Sequence, residues 1–278
     1  MPTETLEREK IHEARLVRTA SRHKGAWMEN IRANKPRIIR DLSELWLDSD
    51  GGEIISVAAG PSLAFDLHRI RTMAPGRQIV CVDMALKFLV NNGIFPDYVI
   101  STDASARVKD FLETGEISAK LILNVIAHPQ VAKSWRGNAG IYWFVMANQF
   151  YDLDHKDFVE NIHTKLSGVG TKLVPGGNVS SVALGFALSA RNASKVYLFG
   201  HDFCWKEEMY CGGINKDLAD ERIRLESDAG TLLDSINTSG EKVKTNLSLM
   251  EFSKWHKDAV KNFGNHVVNC SSSTILKT

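Results

Sequence analysis

The sequence predicts a soluble α/β protein with a Rossmann-like, doubly wound and mostly parallel sheet, preceded by an N-terminal helical arm. Short segments between residues 53 and 199 are apolar throughout rather than alternating, which is typical of strands covered by helices on both faces. Helix-like segments separate them, and such alternation favours a parallel sheet. The chain has 278 residues, of which 44% are hydrophobic, so it can bury a full core without disulfides.

Residues 1–48 are predicted to form the helical arm. Its second half carries apolar residues from Trp27 to Trp46 at roughly helical spacing, and Pro36 must lie at a helix start or a kink. We expect the arm to pack on the core or on a second subunit, which leaves a homo-oligomer formed through the arm as an open alternative. A turn-rich segment at 48–52 leads into the nucleotide-binding domain predicted for residues 49–278.

The elements of this domain follow in order along the chain. Strands are predicted at 53–59, 78–83, 97–103, 120–127, 141–146, 195–199 and 266–270, and helices at 63–73, 84–92, 178–190 and 247–263. Residues 204–245 have little apolar periodicity, so we interpret them as a long irregular insertion and a candidate mobile lid beside the site.

Bulk charge and cysteine content exclude several classes of partner. The formal net charge is +1, which gives no general attraction to nucleic acid or to an anionic membrane. The start of the chain lacks a signal peptide's apolar core, and no apolar run approaches the roughly 18 residues of a membrane span, so we expect a cytoplasmic protein. Cys204, Cys211 and His201 lack a fourth ligand, so no metal site is expected.

The turn Gly60-Pro61-Ser62 is the first candidate site, because ligands of open α/β sheets bind at the carboxyl ends of the strands. Gly60 would let the backbone approach a ligand closely, and Ser62 would cap the next helix, whose first amides attract phosphate. The alternative is a plain strand–turn–helix cap. The full GxGxxG fingerprint is absent, which argues against a dinucleotide.

Two aspartates end the second and third predicted strands. A carboxylate at Asp83 or Asp103 could hold a ribose hydroxyl, a metal ion or a substrate proton. The alternative for each is a helix N-cap. Capping alone is a less satisfactory explanation for two such residues at neighbouring strand ends.

A second candidate anion site lies in the segment 175–181, which leads into a predicted helix. Gly176 and Gly177 are followed there by Asn178, Ser180 and Ser181, whose amide and hydroxyl groups suit a helix N-terminus that binds phosphate. The alternative is close packing of a helix rich in Ala and Gly against the sheet.

His201 and Asp202 follow the strand at 195–199. His201 is a candidate general acid or base and Asp202 its candidate orienter, although a His beside an Asp is more often structural. We expect Asp103 and Asp202 to face one crevice.

Taken in order, these segments resemble the MptE-like superfamily. It includes archaeal 6-hydroxymethylpterin diphosphokinases and bacterial motility accessory factors, which are linked to transfer of nonulosonic acids onto flagellin. The resemblance runs from about Arg22 to Ile275. It rests on Asn30-Ile31-x-x-Asn34, Ala58-Ala59-Gly60-Pro61-Ser62-Leu63, Val82-Asp83-x-Ala85-Leu86-Lys87-x-Leu89, Gly93-Ile94-x-Pro96-Asp97, Asp103, Gly176-Gly177-x-Val179 and Leu198-x-Gly200-x-Asp202.

The turn with the sequence Gly-Pro-Ser-Leu is also similar to that of bacterial sialyltransferases, which use a CMP-sugar and have a related Rossmann-like fold. That similarity implies that two groups of residues line the nucleotide phosphate from opposite sides. One group is Gly60, Pro61 and Ser62, and the other is Asn178, Ser180 and Ser181.

One departure weighs on the reaction. Where the diphosphokinase branch carries Asp-Leu-Asp-Gly, this chain reads Ser101-Thr102-Asp103-Ala104, and two acids would suit magnesium better than one. The resemblance thus implies a glycosyltransferase-like enzyme of the accessory-factor branch that uses a CMP-activated acidic sugar. The alternatives are a diphosphokinase that uses ATP and Mg²⁺, and a non-catalytic nucleotide-binding accessory protein. Each implies a small-molecule nucleotide, an unknown acceptor and no tightly bound cofactor.

Overall fold

The central sheet confirms the predicted parallel architecture. The structure is a computed structural model that describes residues 22–46, 51–147, 162–174, 176–263 and 266–276. Within these residues, eight strands pair in the order β10-β7-β1-β2-β3-β4-β5-β6, and each pair is parallel. They are β1 (Glu53–Val57), β2 (Gln78–Val82), β3 (Tyr98–Ser101), β4 (Lys120–Asn124), β5 (Ile141–Met146), β6 (Lys172–Leu173), β7 (Lys195–Phe199) and β10 (Val267–Asn269).

Helices cover the sheet and connect its strands. Those in the described residues are α1 (22–34), α2 (Leu63–Met73), α3 (Asp83–Asn91), α4 (Val108–Phe111), α5 (Pro129–Ser134), α6 (His163–Ser167), α7 (Val179–Gly185), α8 (Lys216–Asp228) and α9 (Leu247–Phe263). α7 continues directly into the π-helical segment Phe186–Ala190. The four helices predicted in the domain are present, with boundaries that differ by one residue at most.

The strands are continuously apolar because both faces of the sheet are covered. β1, β2 and β4 are each buried from the second residue to the last. On β3, the ring of Tyr98 packs at 5.1 Å between centroids against Phe186, which belongs to the π-helical segment. These contacts place one large hydrophobic core around the sheet.

The described part of the arm packs on this core. Ile31, Leu42 and Leu45 are buried there. The side chain of Asn34 is also buried, and its Nδ2 donates to the carbonyl oxygens of Val125 at 3.2 Å and Ala127 at 2.8 Å, just beyond β4. The arm is therefore anchored at the carboxyl edge of the sheet, where the candidate site lies.

The helix of the arm ends earlier than predicted. After residue 34 only the 3-10 turns Lys35–Arg37 and Leu42–Leu45 follow, because Pro36 lacks an amide hydrogen and cannot continue an α-helix. Ile39 is 82% exposed, so the predicted apolar stripe does not run through it. Residues 1–21 and 47–48 of the predicted arm lie outside the described residues, and its contact with a second subunit stays a prediction.

The prediction of an irregular loop at 204–245 is wrong, because this segment contains regular structure. It comprises the 3-10 turn Cys211–Gly213, helix α8, and the antiparallel strands β8 (Leu232–Ile236) and β9 (Lys242–Asn246). The sequence shows little periodicity because α8 buries only Ala219, in a small cluster separate from the main core. Among the described residues, no helix has the length and apolar character that crossing a membrane requires.

Candidate functional site

A cavity of about 540 Å³ lies at the carboxyl ends of the central strands. The turns after β1, β2, β3 and β7, the starts of α7 and α9, and α8 all contribute to its wall. Most of the predicted site residues line it, namely Gly60, Pro61, Asp83, Asp103, Gly177, Asn178, Ser180, His201 and Asp202. Asp103 and Asp202 thus border the same cavity, whereas Ser62, Gly176 and Ser181 are not in its wall.

Gly60 is required by contact between two turns. A Cβ atom at this position would lie 2.4 Å from the carbonyl oxygen of Gly200 and 2.6 Å from the Asp202 carboxyl carbon. The Gly60 amide donates to the same Gly200 carbonyl at 2.9 Å. The glycine therefore lets two segments of the chain approach each other. We expected its small size to make room for a ligand, but the space that a Cβ would need is filled by the protein itself.

Ser62 does not cap α2 with its side chain, so that prediction is wrong. Its hydroxyl donates to Asp202 Oδ1 at 2.6 Å, and its amide donates to Asp202 Oδ2 at 2.7 Å. The next two amides, of Leu63 and Ala64, donate to the carbonyls of Gly60 and Pro61. The group that occupies the start of α2 is therefore the protein's own carboxylate. Phosphate binding at this turn stays a prediction, and a phosphate there would have to compete with Asp202 for the same donors.

Burial dominates the chemistry of Asp202. Its side chain is buried, and loss of solvation raises its pKa to about 7, although the two hydrogen bonds from Ser62 act in the opposite direction. The hypothesis that Asp202 orients His201 is wrong, because its carboxylate oxygens bond to Ser62 and the His201 ring bonds to other groups.

A chain of buried hydrogen bonds runs through His201. Its Nε2 lies 3.2 Å from Ser56 Oγ, and its Nδ1 lies 3.3 Å from His256 Nε2. His256 Nδ1 lies 2.9 Å from the Phe252 carbonyl oxygen, which can only accept. With both rings neutral, His256 is then protonated on Nδ1, His201 also on Nδ1, and the Ser56 hydroxyl donates to His201.

Burial keeps both imidazoles neutral. It lowers the pKa of His201 well below the ordinary value and that of His256 to about 4, because a charged ring would lose its hydration. Both nitrogens of His201 already have protein partners. A role for His201 in proton transfer stays a prediction, and it would require one of these bonds to open.

Asp83 and Asp103 differ in exposure. Asp83 is buried, and its two oxygens accept the Ser101 hydroxyl at 2.7 Å and the Met84 amide at 2.8 Å. Burial raises its pKa to about 6, and the nearby charge of Asp103 acts in the same direction. Asp103 is exposed, and one of its oxygens accepts the Ser105 amide at 2.7 Å, so the turn-capping alternative applies to it in part.

Asn178 is the N-cap of α7. Its Oδ1 accepts the Ser181 amide at 2.9 Å and the hydroxyls of Ser180 at 2.9 Å and Ser181 at 2.8 Å. The amides of Val179 and Ser180 are the first in the helix and have no acceptor within it. Both residues belong to the cavity wall.

Packing accounts for the glycine pair before this helix. A Cβ at Gly176 would lie 2.4 Å from the Trp255 ring, and one at Gly177 would lie 2.2 Å from the Phe252 ring. Close packing was the alternative for this pair, but the partners are aromatic side chains of α9 rather than the sheet. Pro175, which begins the predicted motif, lies outside the described residues.

Sequence reasoning missed the part of the wall that α8 supplies. Arg222, Leu225 and Glu226 line the cavity, so the segment 204–245 does lie beside the site, as expected. No motif surrounds these residues in the sequence, and their only signal is a run of charged helix formers from residue 216 to 228.

Comparison with known proteins gives one family and one fold. Residues 26–208 match the family described as 6-hydroxymethylpterin diphosphokinase MptE-like. The solved structure of the MAf glycosyltransferase from Magnetospirillum magneticum AMB-1 is similar, with a TM-score of 0.63 and 17% identity, covering 92% of this chain and 37% of that one. This chain thus spans little more than a third of that protein's length, and the likeness shows the fold. No curated protein matches.

Replacing Gly60 by alanine should destabilise the fold rather than affect only ligand binding. The new methyl group would meet the Gly200 backbone and the Asp202 carboxylate, and such overpacking costs about 1–3 kcal/mol. Urea denaturation measures this free energy of unfolding. Gly115→Ala is the matched control, because nothing lies within 4 Å of its Cβ position. Equal stability of the two variants would contradict the contact.

Replacing His256 by glutamine should have a pH-dependent cost. Between the ordinary histidine pKa near 6.5 and the folded value of about 4, the unfolded parent binds a proton that the folded parent does not, so the parent loses stability as pH falls. The variant lacks this loss, so the difference between its free energy of unfolding and that of the parent should be about 1–2 kcal/mol smaller at pH 5 than at pH 7.5. Urea denaturation at both pH values tests this. His68→Gln, on the exposed side of α2, is the control, and a deficit that does not change with pH would refute the neutral ring.

Proposed function

The chain belongs to the 6-hydroxymethylpterin diphosphokinase MptE-like family, and from that membership we propose that it is a nucleotide-dependent transferase. Among such reactions we propose a glycosyltransferase-like one that uses a CMP-activated acidic sugar. The fold shared with a protein described as a glycosyltransferase over 92% of this chain supports the choice.

One observation carries the proposal. One cavity is lined by two carboxylates, Asp83 and Asp103, at the ends of β2 and β3, and by the N-terminus of α7. Sugar transfer needs a base for the acceptor and donors for the leaving phosphate, and these two features would supply them.

In the proposed reaction an acceptor hydroxyl oxygen bonds to the anomeric carbon of the sugar. The bond from that carbon to the phosphate oxygen of CMP breaks, and CMP leaves with the electron pair. Asp103 takes the hydroxyl proton, and Asp83, which is buried near it, would hold a ribose hydroxyl of the nucleotide.

The leaving phosphate would meet backbone donors at α7. The amides of Val179 and Ser180 lack helical acceptors, and the positive end of a helix favours an anion. Gly60 and Pro61 border the same cavity and would complete the phosphate side of the site, as the sequence predicts. Asn178 would act through its cap, which orients the first turn of α7.

A diphosphokinase that uses ATP and Mg²⁺ is the second candidate. The name of the matched family favours it, as does the proximity of Asp83 and Asp103, whose charges influence each other. Carboxylates are the usual magnesium ligands beside transferred phosphates.

A non-catalytic nucleotide-binding accessory protein is the third candidate. His201 and Asp202, which the sequence indicates as candidate catalytic residues, have their polar atoms bonded within the protein. Such bonding is what a purely structural role requires.

A thermal shift panel with CMP, CDP, ATP and AMP, each with and without Mg²⁺, should separate these functions. We expect CMP to stabilise the protein without Mg²⁺, by about 2.7 kcal/mol at a concentration of about 100 times its dissociation constant. Stabilisation by ATP that depends on Mg²⁺ would instead support the diphosphokinase. No shift with any nucleotide would rule out the nucleotide-dependent transferase.

Asp103→Asn should fold normally and bind CMP, but lose turnover once a substrate pair is found. Asp103 is exposed and makes one turn hydrogen bond, so its replacement costs little stability. Loss of a positioned base costs about 10²–10⁴-fold in rate. Asp110→Asn, at an exposed position on α4, is the control for charge. Equal turnover of the two variants in a coupled assay would remove Asp103 from the mechanism.

A further inference from the structure

We infer that Arg222, held by Tyr210, is the residue that binds the anionic group of the ligand, a phosphate or a carboxylate. The inference deepens the proposed function, on which its choice of a nucleotide ligand rests. It comes from four observations on the wall that α8 forms.

The first observation is the charge of the wall. Arg222 is the one lysine or arginine among the described residues that line the cavity. The acidic residues in the same wall are Asp83, Asp103, Asp202 and Glu226. An anionic ligand in this cavity therefore has one cationic side chain in the wall with which it can pair.

The second observation is that no carboxylate neutralises Arg222 within the described part of the chain. The neighbouring acids on α8 have other partners: Glu221 lies 3.4 Å from Arg107, and Glu226 accepts the hydroxyl of Thr231. A guanidinium that lines a cavity and has no described carboxylate within 4.0 Å is available to an anion from outside.

The third observation is that Tyr210 orients the guanidinium. Arg222 Nη1 donates to the Tyr210 hydroxyl at 2.7 Å. Among the residues that the structure describes, only this one N–H group of Arg222 has such a partner, and the rest of the planar fork suits a phosphate or a carboxylate, which accept two parallel hydrogen bonds. The tyrosine thus limits the rotamers of an otherwise exposed arginine.

The fourth observation places the pair beside the predicted nucleotide turn. Tyr210 immediately precedes Cys211, whose amide donates to the Ala59 carbonyl at 3.0 Å. The backbone at Tyr210 therefore lies near the turn after β1, and Arg222 borders the same cavity as Gly60, beside which the Asp202 carboxylate already occupies the start of α2. Arg222 would supply the positive charge that this helix end does not offer.

The test is isothermal titration of the full chain with CMP, cytidine, inorganic pyrophosphate and N-acetylneuraminic acid. The variants are Arg222→Gln and Arg222→Lys, and the matched control is Arg224→Gln, an exposed position on the same helix outside the wall. Gln and Lys are good helix formers, so each variant should fold.

We expect Arg222→Gln to weaken CMP binding at least about tenfold and to leave cytidine binding unchanged, because one charge-assisted contact is lost. Arg222→Lys should fall between, since it keeps the charge without the fork. An equivalent loss for N-acetylneuraminic acid, with CMP unaffected, would assign Arg222 to the sugar carboxylate instead of the phosphate.

The remaining outcomes separate this inference from the proposed function. If Arg222→Gln and Arg224→Gln bind every anionic probe equally, the inference is overturned while nucleotide binding stands. If pyrophosphate binding depends on Arg222 but no nucleotide binds, the anion site stands and the nucleotide function fails. A parent protein that binds none of the probes overturns both.

Discussion

The contact between the turns after β1 and β7 is the constraint on which the site depends. The chain leaves β1 toward β2 on one side and places β7 on the other, so β1 and β7 meet where the strand order diverges. Beyond the strands the ladder continues, with the Ala58 amide donating to Phe199 and the Gly60 amide to Gly200. Such close approach leaves no room for a Cβ at Gly60 or at Gly200, which has a φ of +68°.

A chain of uncharged polar groups connects the turn after β7 to α9, whose start borders the cavity. The imidazole chain runs from Ser56 on β1 through His201 after β7 to His256 on α9. α9 in turn packs Phe252 over Gly177 at the start of α7. Burial lowers the pKa values of both histidines, so both rings stay neutral. The network can therefore lie inside the protein without an isolated charge.

The sequence was sufficient to predict seven of the eight strands of the sheet, though not the two-residue β6, and to place most of the candidate residues at the carboxyl edge, because both follow from local patterns. Continuous apolar segments mark buried parallel strands, and a polar residue after such a segment, such as Asp83, must lie at the carboxyl edge. Partners distant in sequence could not be predicted. Nothing near Ser62 indicates that its amide donates to a carboxylate 140 residues away, or that Phe252 fills the space beside Gly177. α8 escaped prediction because it buries too little apolar surface to produce a period.

The family match covers only part of the cavity wall. Residues 26–208 include the turns after β1, β2, β3 and β7 and the start of α7, all of which border the cavity. Arg222, α8 and the first turn of α9 follow that range. The matched portion thus supplies carboxylates, backbone donors and a helix end closed by Asp202, while the cationic side chain comes from the later segment. A fold that places its own carboxylate at the first helix start has to obtain positive charge elsewhere to hold an anion. In the proposed site, ligand selectivity would depend more on α8, which carries Arg222, than on the turn after β1.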